Sequence, residues 1–382
     1  MQSSHYKGIK VLVTGHTGFK GSWLALWLRE LGAKVIGLSL DPLTQHDFFV
    51  RTNLQNKITD LRGDINNLKG LIDVFKQCEP EFVFHLAAQP IVRISYDHPI
   101  ETFQTNALGT ANVLEAIRQT KSVKGAVMVT TDKVYRDDNS IWGYREKDPL
   151  GGYDPYSSSK ACAELIIDSY RNSFFSQEGK PKIASARAGN VIGGGDWQAD
   201  RLVPDAIRAL SNGKPIALRN PRSIRPWQHV LDALGGYLLL GEKLLASPNN
   251  GGENNFANAW NFGPLPDSIL TVQDLAEKII SIWGTGTIYH KETRLDTKHE
   301  AQMLSLDITK AMVKLGWHPV LDVNESISMT VEWYKKSLKN PDLDIYAFSR
   351  DQIDHFYQIG KKKKIAWIET ILLPTLTVNE GS

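Results

Sequence analysis

The chain has 382 residues, a formal net charge of +2 and 42% hydrophobic residues, values typical of a soluble globular protein. A charge this small gives no general case for nucleic-acid binding. No apolar run approaches the ~18 residues of a membrane span, and residues 1–10 lack the apolar segment of a signal peptide. The two cysteines, Cys78 and Cys162, have no metal-ligand spacing. We therefore predict a cytoplasmic protein that binds no nucleic acid, no membrane and no metal.

Strand-like and helix-like segments alternate from the N-terminus. A strand at 10–14, a helix at 22–31 and a strand at 34–40 come first, followed by predicted strands at 82–86, 126–130, 182–186 and 259–262 and a helix at 271–283. This alternation predicts an α/β fold, a Rossmann-type doubly wound parallel sheet with a smaller C-terminal substrate-binding domain. The pattern changes after residue 190, where residues 193–197 and the Pro/Arg-rich segment 214–227 lack clear periodicity, which predicts a loop-rich substrate lid.

The same pattern suggests how the chain is divided into domains. We assign residues 1–190 to a dinucleotide-binding Rossmann domain that later segments, about 222–240 and 257–264, rejoin. Residues 191–330 would form mainly the substrate domain. Residues 331–382 are predicted to be C-terminal helices and a tail, and we assign them no role.

A glycine-rich loop directly follows the first strand and opens the first helix. Its glycines, Gly15, Gly18 and Gly21, step by three residues. In this context, glycines let the backbone approach a pyrophosphate that faces the positive end of the helix. Asp41 lies 20 residues after Gly21, the spacing of a carboxylate that binds the adenosine ribose. A carboxylate there repels a 2′-phosphate and favours NAD over NADP; the alternative is that Asp41 only starts a turn before Pro42.

Further cofactor contacts are predicted within this loop and after later strands. The set is His16, Thr17, Phe19 and Lys20 in the loop, with Asp64, Ile65, Leu86, Ala87 and Ala88 bordering the same cleft. His16 and Lys20 differ from the small or aliphatic residues usual in such loops. Because their bulk and charge would loosen the pyrophosphate fit, we expect weak retention of the cofactor.

A second group of residues carries acid/base chemistry. Tyr156 and Lys160 stand four residues apart on a predicted helix and therefore share one face. An ammonium beside a phenol lowers the pKa of the phenol, which can then act as a base toward an alcohol. Thr131 supplies a hydroxyl for the substrate oxygen, and Asp132 and Lys133 add two proton-transfer groups. The Tyr-x-x-x-Lys pattern alone is weak evidence for an active site, because it also occurs by chance on ordinary helices. The additional Asp132 and Lys133 point beyond a simple dehydrogenase, which has no use for both.

Together these motifs resemble the extended short-chain dehydrogenase/reductase family and, within it, the nucleotide-sugar 4,6-dehydratases, which carry a Thr-Asp-acid/base triplet. Most of that group have Glu in the third place, where this chain has Lys133. Lysine there, with the segments 15–24, 152–157, 187–197, 224–230 and 260–264, is similar to the members that act on CDP-glucose. The similarity runs from about residue 9 to about residue 319.

The resemblance implies an NAD-dependent reaction. CDP-D-glucose would become CDP-4-dehydro-6-deoxy-D-glucose plus water by oxidation at carbon 4, elimination across carbons 5 and 6, and hydride return to carbon 6. Tyr156 would be the base at the 4-hydroxyl, with Lys160 lowering its pKa and holding the nicotinamide ribose, and Thr131 bonding the 4-oxygen. Asp132 would protonate the departing hydroxyl while Lys133 removes the carbon 5 proton.

The role of Lys133 has alternatives. A lysine that acts as a base must be neutral, a form that Lys160 and the oxidised nicotinamide would favour. Asp132 and Lys133 could instead form a salt bridge, or Lys133 could only orient the substrate or stabilise the enolate.

The substrate diphosphate needs cations, and arginine makes bidentate contacts with phosphate. By resemblance, the substrate-binding set is Gln89, Arg93, Asn190, Arg201, Arg219, Arg225, His299 and Glu300. The competing interpretations are a nucleotide-sugar 4-epimerase or simple dehydrogenase, a 4,6-dehydratase acting on another NDP-hexose, and a non-catalytic NAD-binding relative. The resemblance also implies a homodimer formed partly by the helix from Tyr156 to Tyr170, and a role in O-antigen and lipopolysaccharide biosynthesis.

Overall fold

The computed structural model describes residues 4–138, 140–246, 256–290 and 304–371. Its central feature is a seven-stranded parallel sheet of order β11-β6-β5-β4-β1-β2-β3. The strands are β1 Lys10–Thr14, β2 Lys34–Ser39, β3 Thr59–Arg62, β4 Phe82–His85, β5 Gly125–Val129, β6 Lys182–Arg187, β7 Val191–Ile192, β8 Ile216–Leu218, β9 Ile224–Pro226, β10 Gln228–His229, β11 Ala259–Asn261, β12 Ile269–Thr271 and β13 Ile288–His290. The predicted doubly wound Rossmann-type sheet is confirmed.

Helices cover both faces of this sheet. They are α1 Phe19–Glu30, α2 Phe48–Arg51, α3 Leu68–Cys78, α4 Val92–Asp97, α5 Pro99–Phe103, α6 Gly109–Gln119, α7 Pro155–Phe174, α8 Leu202–Ser211, α9 Val230–Ala246, α10 Val272–Trp283, α11 Val323–Lys339 and α12 Ile345–Lys362. None of these helices is both long enough and apolar enough to cross a bilayer.

The sheet carries a hydrophobic cluster on each face. Alternate residues of a strand point to opposite faces, so Val11 and Val13 of β1 pack toward α1, α9, α11 and α12. Leu12, between them, packs toward α3, α6 and α7. Burial on both faces explains why β4 and β5 are buried along their whole lengths, as is typical of parallel sheets.

The helix α8 lies between the two segments of the predicted loop-rich lid and was not predicted from the sequence. Val203, Ala206, Ile207 and Leu210 form the buried stripe of α8. Their spacing of three and four residues is a helical signal that the surrounding Gly-, Pro- and Arg-rich sequence obscures. The helix packs against β8 and α10, and thereby fixes the arginine-bearing loops on either side.

The strand order reverses between β1 and β4, which creates a crevice at the carboxyl ends of these strands. His85, the last residue of β4, lies under this crevice, with its Nδ1 2.7 Å from Thr14 Oγ1 and its Nε2 3.2 Å from Thr110 Oγ1. Burial, and secondarily the charge of Lys160, lowers the pKa of His85 to about 3.

We expect this buried neutral imidazole to make the fold sensitive to acid. Since the unfolded chain takes up a proton near the ordinary histidine pKa of 6.5 and the folded chain does not, the stability contributed by His85 is lost as pH falls from 6.5 toward 3. The loss should reach roughly a few kcal/mol. Unfolding measured across this window should show a shallower pH dependence for His85→Gln than for the wild type; parallel curves would contradict the assignment.

Candidate active site

A cavity of about 700 Å³ opens at the carboxyl ends of β1, β4, β5 and β6. It is lined by all five predicted catalytic residues, and by predicted cofactor and substrate contacts from distant parts of the chain. These lining residues are Thr131, Asp132, Lys133, Tyr156, Lys160, Phe19, Lys20, Leu86, Ala88, Arg93, Asn190, Arg201, Arg219 and Arg225. Residues separated by more than two hundred positions in sequence, such as Phe19 and Arg225, therefore share one cavity.

The glycine-rich loop joins β1 to α1 next to this cavity. Gly15 has a φ of 76°, and a Cβ there would lie 2.6 Å from the backbone nitrogen of Ala87. Any side chain is therefore excluded on two grounds, conformation and space. Thr17 braces the loop, because its Oγ1 lies 2.7 Å from Ser39 Oγ and donates to the Leu40 carbonyl at 3.1 Å. The result is a closely packed turn at the N-terminus of a twelve-residue helix, which suits a pyrophosphate.

The His16 side chain is fully buried and does not face the open side of the loop. Its Nε2 lies 2.7 Å from Asp60 Oδ1, and its ring packs edge-on against Phe49 at 5.2 Å. The expectation that the bulk of His16 loosens the pyrophosphate fit is therefore wrong, since the ring fills the protein interior. Only its backbone remains available to a cofactor.

Lys20, in contrast, extends into the cavity. Burial is the main reason that its pKa falls to about 8, with Arg201 acting in the same direction and Asp132 and Asp196 opposing. The first turn of α1 thus contributes a cation to the cavity as well as residues to the loop.

The remaining predicted cofactor contacts lie around the crevice rather than in the cavity. Asp41 is exposed and accepts a 2.8 Å hydrogen bond from Arg62 Nε. Asp64 is exposed and its Oδ1 accepts from the Asn66 amide at 2.9 Å, while Ile65 is buried. Ala87 lies against the glycine-rich loop.

A short helical turn after β5 positions the predicted acid/base triplet, Thr131, Asp132 and Lys133. Thr131 caps this turn, with its Oγ1 accepting from the Lys133 amide at 3.4 Å, and it donates to Asp132 Oδ1 at 2.8 Å. The Asp132 carboxylate therefore bonds to Thr131 in place of the Asp132–Lys133 salt bridge considered above. Lys133 lines the cavity and is partly exposed.

Gly189 makes room for this carboxylate, since a Cβ at Gly189 would collide with Asp132. We expect Gly189→Ala to displace Asp132 and to lower kcat by about a hundredfold, the cost of a shift of about 1 Å in a catalytic group. Gly263→Ala is the matched control, because a Cβ there meets only ordinary contacts at 3.5 Å or more. Equal rates for the two variants would show that the position of Asp132 does not matter.

Tyr156 and Lys160 are positioned by the start of α7. Asp154 caps the helix by accepting from the Ser157 amide at 2.9 Å, and Pro155 occupies its first position. Tyr156 lies in the first turn and Lys160 one turn later, and both are buried.

The charge effects between these two residues differ from the sequence-based expectation. Burial raises the pKa of Tyr156 to about 12, against a smaller lowering by the Thr131 side chain. Burial also lowers the pKa of Lys160 to about 7, with the charge of Lys20 adding to the effect. Desolvation therefore outweighs the expected lowering of the phenol pKa by Lys160, because both groups are shielded from water.

A buried ion pair behind the cavity, not anticipated from the sequence, ties α7 to the sheet. Glu164 accepts from Arg187 Nη2 and from Ser185 Oγ at 2.8 Å each, and it also bonds Thr130. Glu164 is four residues beyond Lys160 and so shares its helix face, a signal that was available in the sequence. The pair joins the helix that carries Tyr156 and Lys160 to the ends of β5 and β6.

The predicted diphosphate ligands Arg201, Arg219 and Arg225 line the same cavity. Arg201 Nη1 donates to Asp196 Oδ2 at 2.8 Å, and Arg219 Nη1 donates to Asp200 Oδ1 at 3.3 Å. Arg225 donates to the Ile224 carbonyl at 2.8 Å. Asn190 has a φ of 49°, a left-handed conformation that asparagine tolerates better than most residues. Arg93 lines the side nearest α4.

Gln89 is the predicted substrate contact that the structure does not bring into the cavity. Its amide nitrogen donates to the Ile91 carbonyl and to Thr102 Oγ1, and its Oε1 accepts from the Ile91 amide at 2.6 Å. Its polar atoms are thus used in holding the loop after β4. His299 and Glu300 lie outside the described residues.

Comparison with known proteins agrees with this geometry. The family model for GDP-mannose 4,6 dehydratase matches residues 12–330. A CDP-glucose 4,6-dehydratase from Salmonella typhimurium is 44% identical over 347 residues, covering 90% of this chain and 95% of that protein.

Two solved structures share the fold. The UDP-glucose 4-epimerase of Thermus thermophilus in complex with NAD superposes with a TM-score of 0.73 at 25% identity, over 86% of this chain and 99% of that one. A dTDP-glucose 4,6-dehydratase from Streptomyces venezuelae gives 0.72 at 24% identity, over 87% and 99%. The chain therefore belongs to the GDP-mannose 4,6 dehydratase family, within the extended short-chain dehydrogenase/reductases.

Proposed function

We propose that the protein is an NAD-dependent CDP-glucose 4,6-dehydratase, a hydro-lyase that converts CDP-D-glucose to CDP-4-dehydro-6-deoxy-D-glucose and water. The observation that carries the proposal is that an elimination pair, Asp132 and Lys133, shares one cavity with a hydride-transfer pair, Tyr156 and Lys160. The 44% identity to the Salmonella typhimurium CDP-glucose 4,6-dehydratase supports the choice of reaction and of nucleotide.

The crevice beside the cavity fits NAD. The closely packed turn at Gly15 and the N-terminus of α1 suit a pyrophosphate. The exposed carboxylate of Asp41 suits an adenosine ribose. We assign Lys160 and Tyr156 to the nicotinamide ribose side. Bound NAD would accept the hydride from carbon 4 of the sugar and return it to carbon 6, so that no net cofactor is consumed.

In the oxidation, Tyr156 takes the proton of the 4-hydroxyl and Thr131 holds the 4-oxygen. The position of Thr131 and Tyr156 in one cavity supports this assignment, since the Thr131 side chain lowers the pKa of the phenol. The charge on Lys160 favours the phenolate further once substrate and cofactor are in place.

In the elimination, Lys133 removes the carbon 5 proton, which the neighbouring ketone has made acidic. Asp132, in its protonated form, gives its proton to the 6-hydroxyl, which leaves as water, and a double bond forms between carbons 5 and 6. The bond from Thr131 to Asp132 supports a shared task, because it links the acid to the group that holds the 4-oxygen. Hydride addition at carbon 6 and proton addition at carbon 5 then complete the product.

We assign five residues to the nucleotide diphosphate and sugar: Arg201, Arg219, Arg225, Arg93 and Asn190.

The competing function is a 4-epimerase or a dehydratase for another NDP-hexose, which would use the same Tyr156 and Lys160. The pair of Asp132 and Lys133 favours elimination, because an epimerase has no departing hydroxyl to protonate.

A direct assay separates these functions. The protein is incubated with NAD and CDP-glucose, and strong alkali is then added to develop the ultraviolet absorbance of a 4-keto-6-deoxy sugar. We expect this signal with CDP-glucose and a weaker one or none with dTDP-, UDP- or GDP-glucose. No signal with any of the four sugars would overturn the dehydratase, and accumulation of NADH would point to a dehydrogenase.

Retention of NAD should be weak. Lys20 is a cation in the cavity, and the positively charged oxidised nicotinamide would lie in the same cavity. Like charges in a site shielded from water repel strongly. We expect the purified protein to lose NAD during gel filtration and to need added NAD for activity. Stoichiometric NAD that survives gel filtration would contradict this expectation.

We further propose a cytoplasmic homodimer. Exposed apolar side chains at Ile100, Leu108 and Leu165 lie on or beside α5, α6 and α7, which pack together, and support an interface between paired helices. The product, a 4-keto-6-deoxyhexose linked to CDP, would feed O-antigen and lipopolysaccharide synthesis.

A further inference from the structure

An ion pair joins the carboxyl ends of β2 and β3. Arg62 is the last residue of β3 and stands opposite Ser39, the last residue of β2. From there its Nε donates to Asp41 Oδ1 at 2.8 Å. The carboxylate expected to meet the adenosine ribose therefore already has a guanidinium beside it.

Arg62 is also held from its other side, by contacts that do not depend on Asp41. Its Nη1 bonds Asp60, and its guanidinium carbon lies 5.4 Å from the centre of the Phe49 ring. Asp60 is anchored in turn by the buried His16, 2.7 Å away. Because these contacts fix the guanidinium, we expect it to keep its position when Asp41 is changed.

The charges of this cluster explain a preference for NAD. Burial lowers the pKa of His16 and favours a neutral ring, so that two carboxylates and one guanidinium leave a net negative charge. That negative charge would repel a 2′-phosphate. The guanidinium that could bind the phosphate is already bonded to both carboxylates. A ribose hydroxyl, in contrast, can donate to Asp41 without any such penalty.

We propose that Arg62 is a latent 2′-phosphate ligand and that its pairing with Asp41 sets the choice of NAD over NADP. Asp41 has two roles: it accepts a hydrogen bond from the ribose hydroxyl, and it pairs with the guanidinium so that Arg62 is not available to a phosphate. The inference rests on the proposed NAD-dependent function, which it extends to a residue outside the glycine-rich loop and the catalytic cavity.

The test is a binding experiment without sugar substrate. Dissociation constants for NADH and NADPH are measured by cofactor fluorescence on protein freed of nucleotide, for the wild type, Asp41→Asn, Arg62→Gln and the double variant. We expect the wild type to bind NADPH much more weakly than NADH. Asp41→Asn should weaken NADH and tighten NADPH by about tenfold or more, the worth of one charge-assisted hydrogen bond.

The double variant decides whether Arg62 is responsible. If the guanidinium binds the 2′-phosphate, Asp41→Asn combined with Arg62→Gln should lose the gain in NADPH affinity. A gain that persists in the double variant, or no gain in Asp41→Asn, overturns the inference. Asp73→Asn is the matched control, since it removes one exposed carboxylate from α3 and should change neither constant.

Failure of the inference and failure of the proposed function look different. A wild type that binds NADH while Asp41→Asn shows no gain for NADPH overturns only the role of Arg62. A wild type that binds neither cofactor overturns the NAD-dependent function and this inference with it. Unchanged circular dichroism spectra would show that the variants are folded, which the exposure of Asp41 favours.

Discussion

Replacement of Lys133 by alanine is expected to leave NAD and CDP-glucose binding intact while turnover falls by about 10²–10⁴-fold, the usual contribution of a general base. Lys133 lines the cavity on a turn that Thr131 caps, so truncation of its side chain leaves the backbone of the site unchanged. The oxidation at carbon 4 does not need Lys133. One equivalent of enzyme-bound NADH should therefore form and persist, visible by its near-ultraviolet absorbance.

Exchange at carbon 5 identifies the step that Lys133 performs. In deuterated water the wild-type product should carry deuterium at carbon 5, whereas Lys133→Ala should incorporate none into the sugar. Lys121→Ala, which removes an exposed lysine outside the cavity, serves as the control and should behave like the wild type. Unchanged exchange in Lys133→Ala would rule out this residue as the base and favour its role in orienting substrate.

Replacement of Tyr156 by phenylalanine should stop the reaction one step earlier. The phenol lines the same cavity as Thr131, and its loss removes the proposed base for the 4-hydroxyl. We expect kcat to fall by about 10²–10⁴-fold, with neither bound NADH nor exchange at carbon 5. The two variants thus differ in a readout other than rate, because only Lys133→Ala accumulates the reduced cofactor.

Tyr289→Phe is the control for this variant, since Tyr289 is half-exposed on β13 and outside the cavity. It should retain wild-type turnover. If Tyr156→Phe forms bound NADH as fast as the wild type does, another group accepts the 4-hydroxyl proton.

The sequence predicted the parts of this molecule that local patterns encode. The turn from β1 to α1, the position of Tyr156 and Lys160 on one helix face, and the parallel sheet follow from glycine spacing and hydrophobic periodicity. The shared cavity could be anticipated as well, because residues that follow parallel strands meet at one edge of the sheet.

Side-chain direction and solvation could not be predicted in the same way. Whether His16 faces a cofactor or the interior depends on Asp60 and Phe49, which are distant in sequence. The same holds for Gln89, whose amide is used by its own loop. The pKa of Tyr156 was mispredicted because the i, i+4 spacing gives the position of Lys160 but not the degree of burial, which has the larger effect.

The central claim is that one site removes a hydride at carbon 4, eliminates water and returns the same hydride at carbon 6. CDP-glucose labelled with deuterium at carbon 4 tests it most directly, with the product analysed by mass spectrometry and NMR. The account predicts a 4-keto-6-deoxy product whose deuterium has moved to carbon 6, with no label in free NADH. Deuterium recovered in free NADH, or retained at carbon 4 of an epimerised sugar, would contradict it.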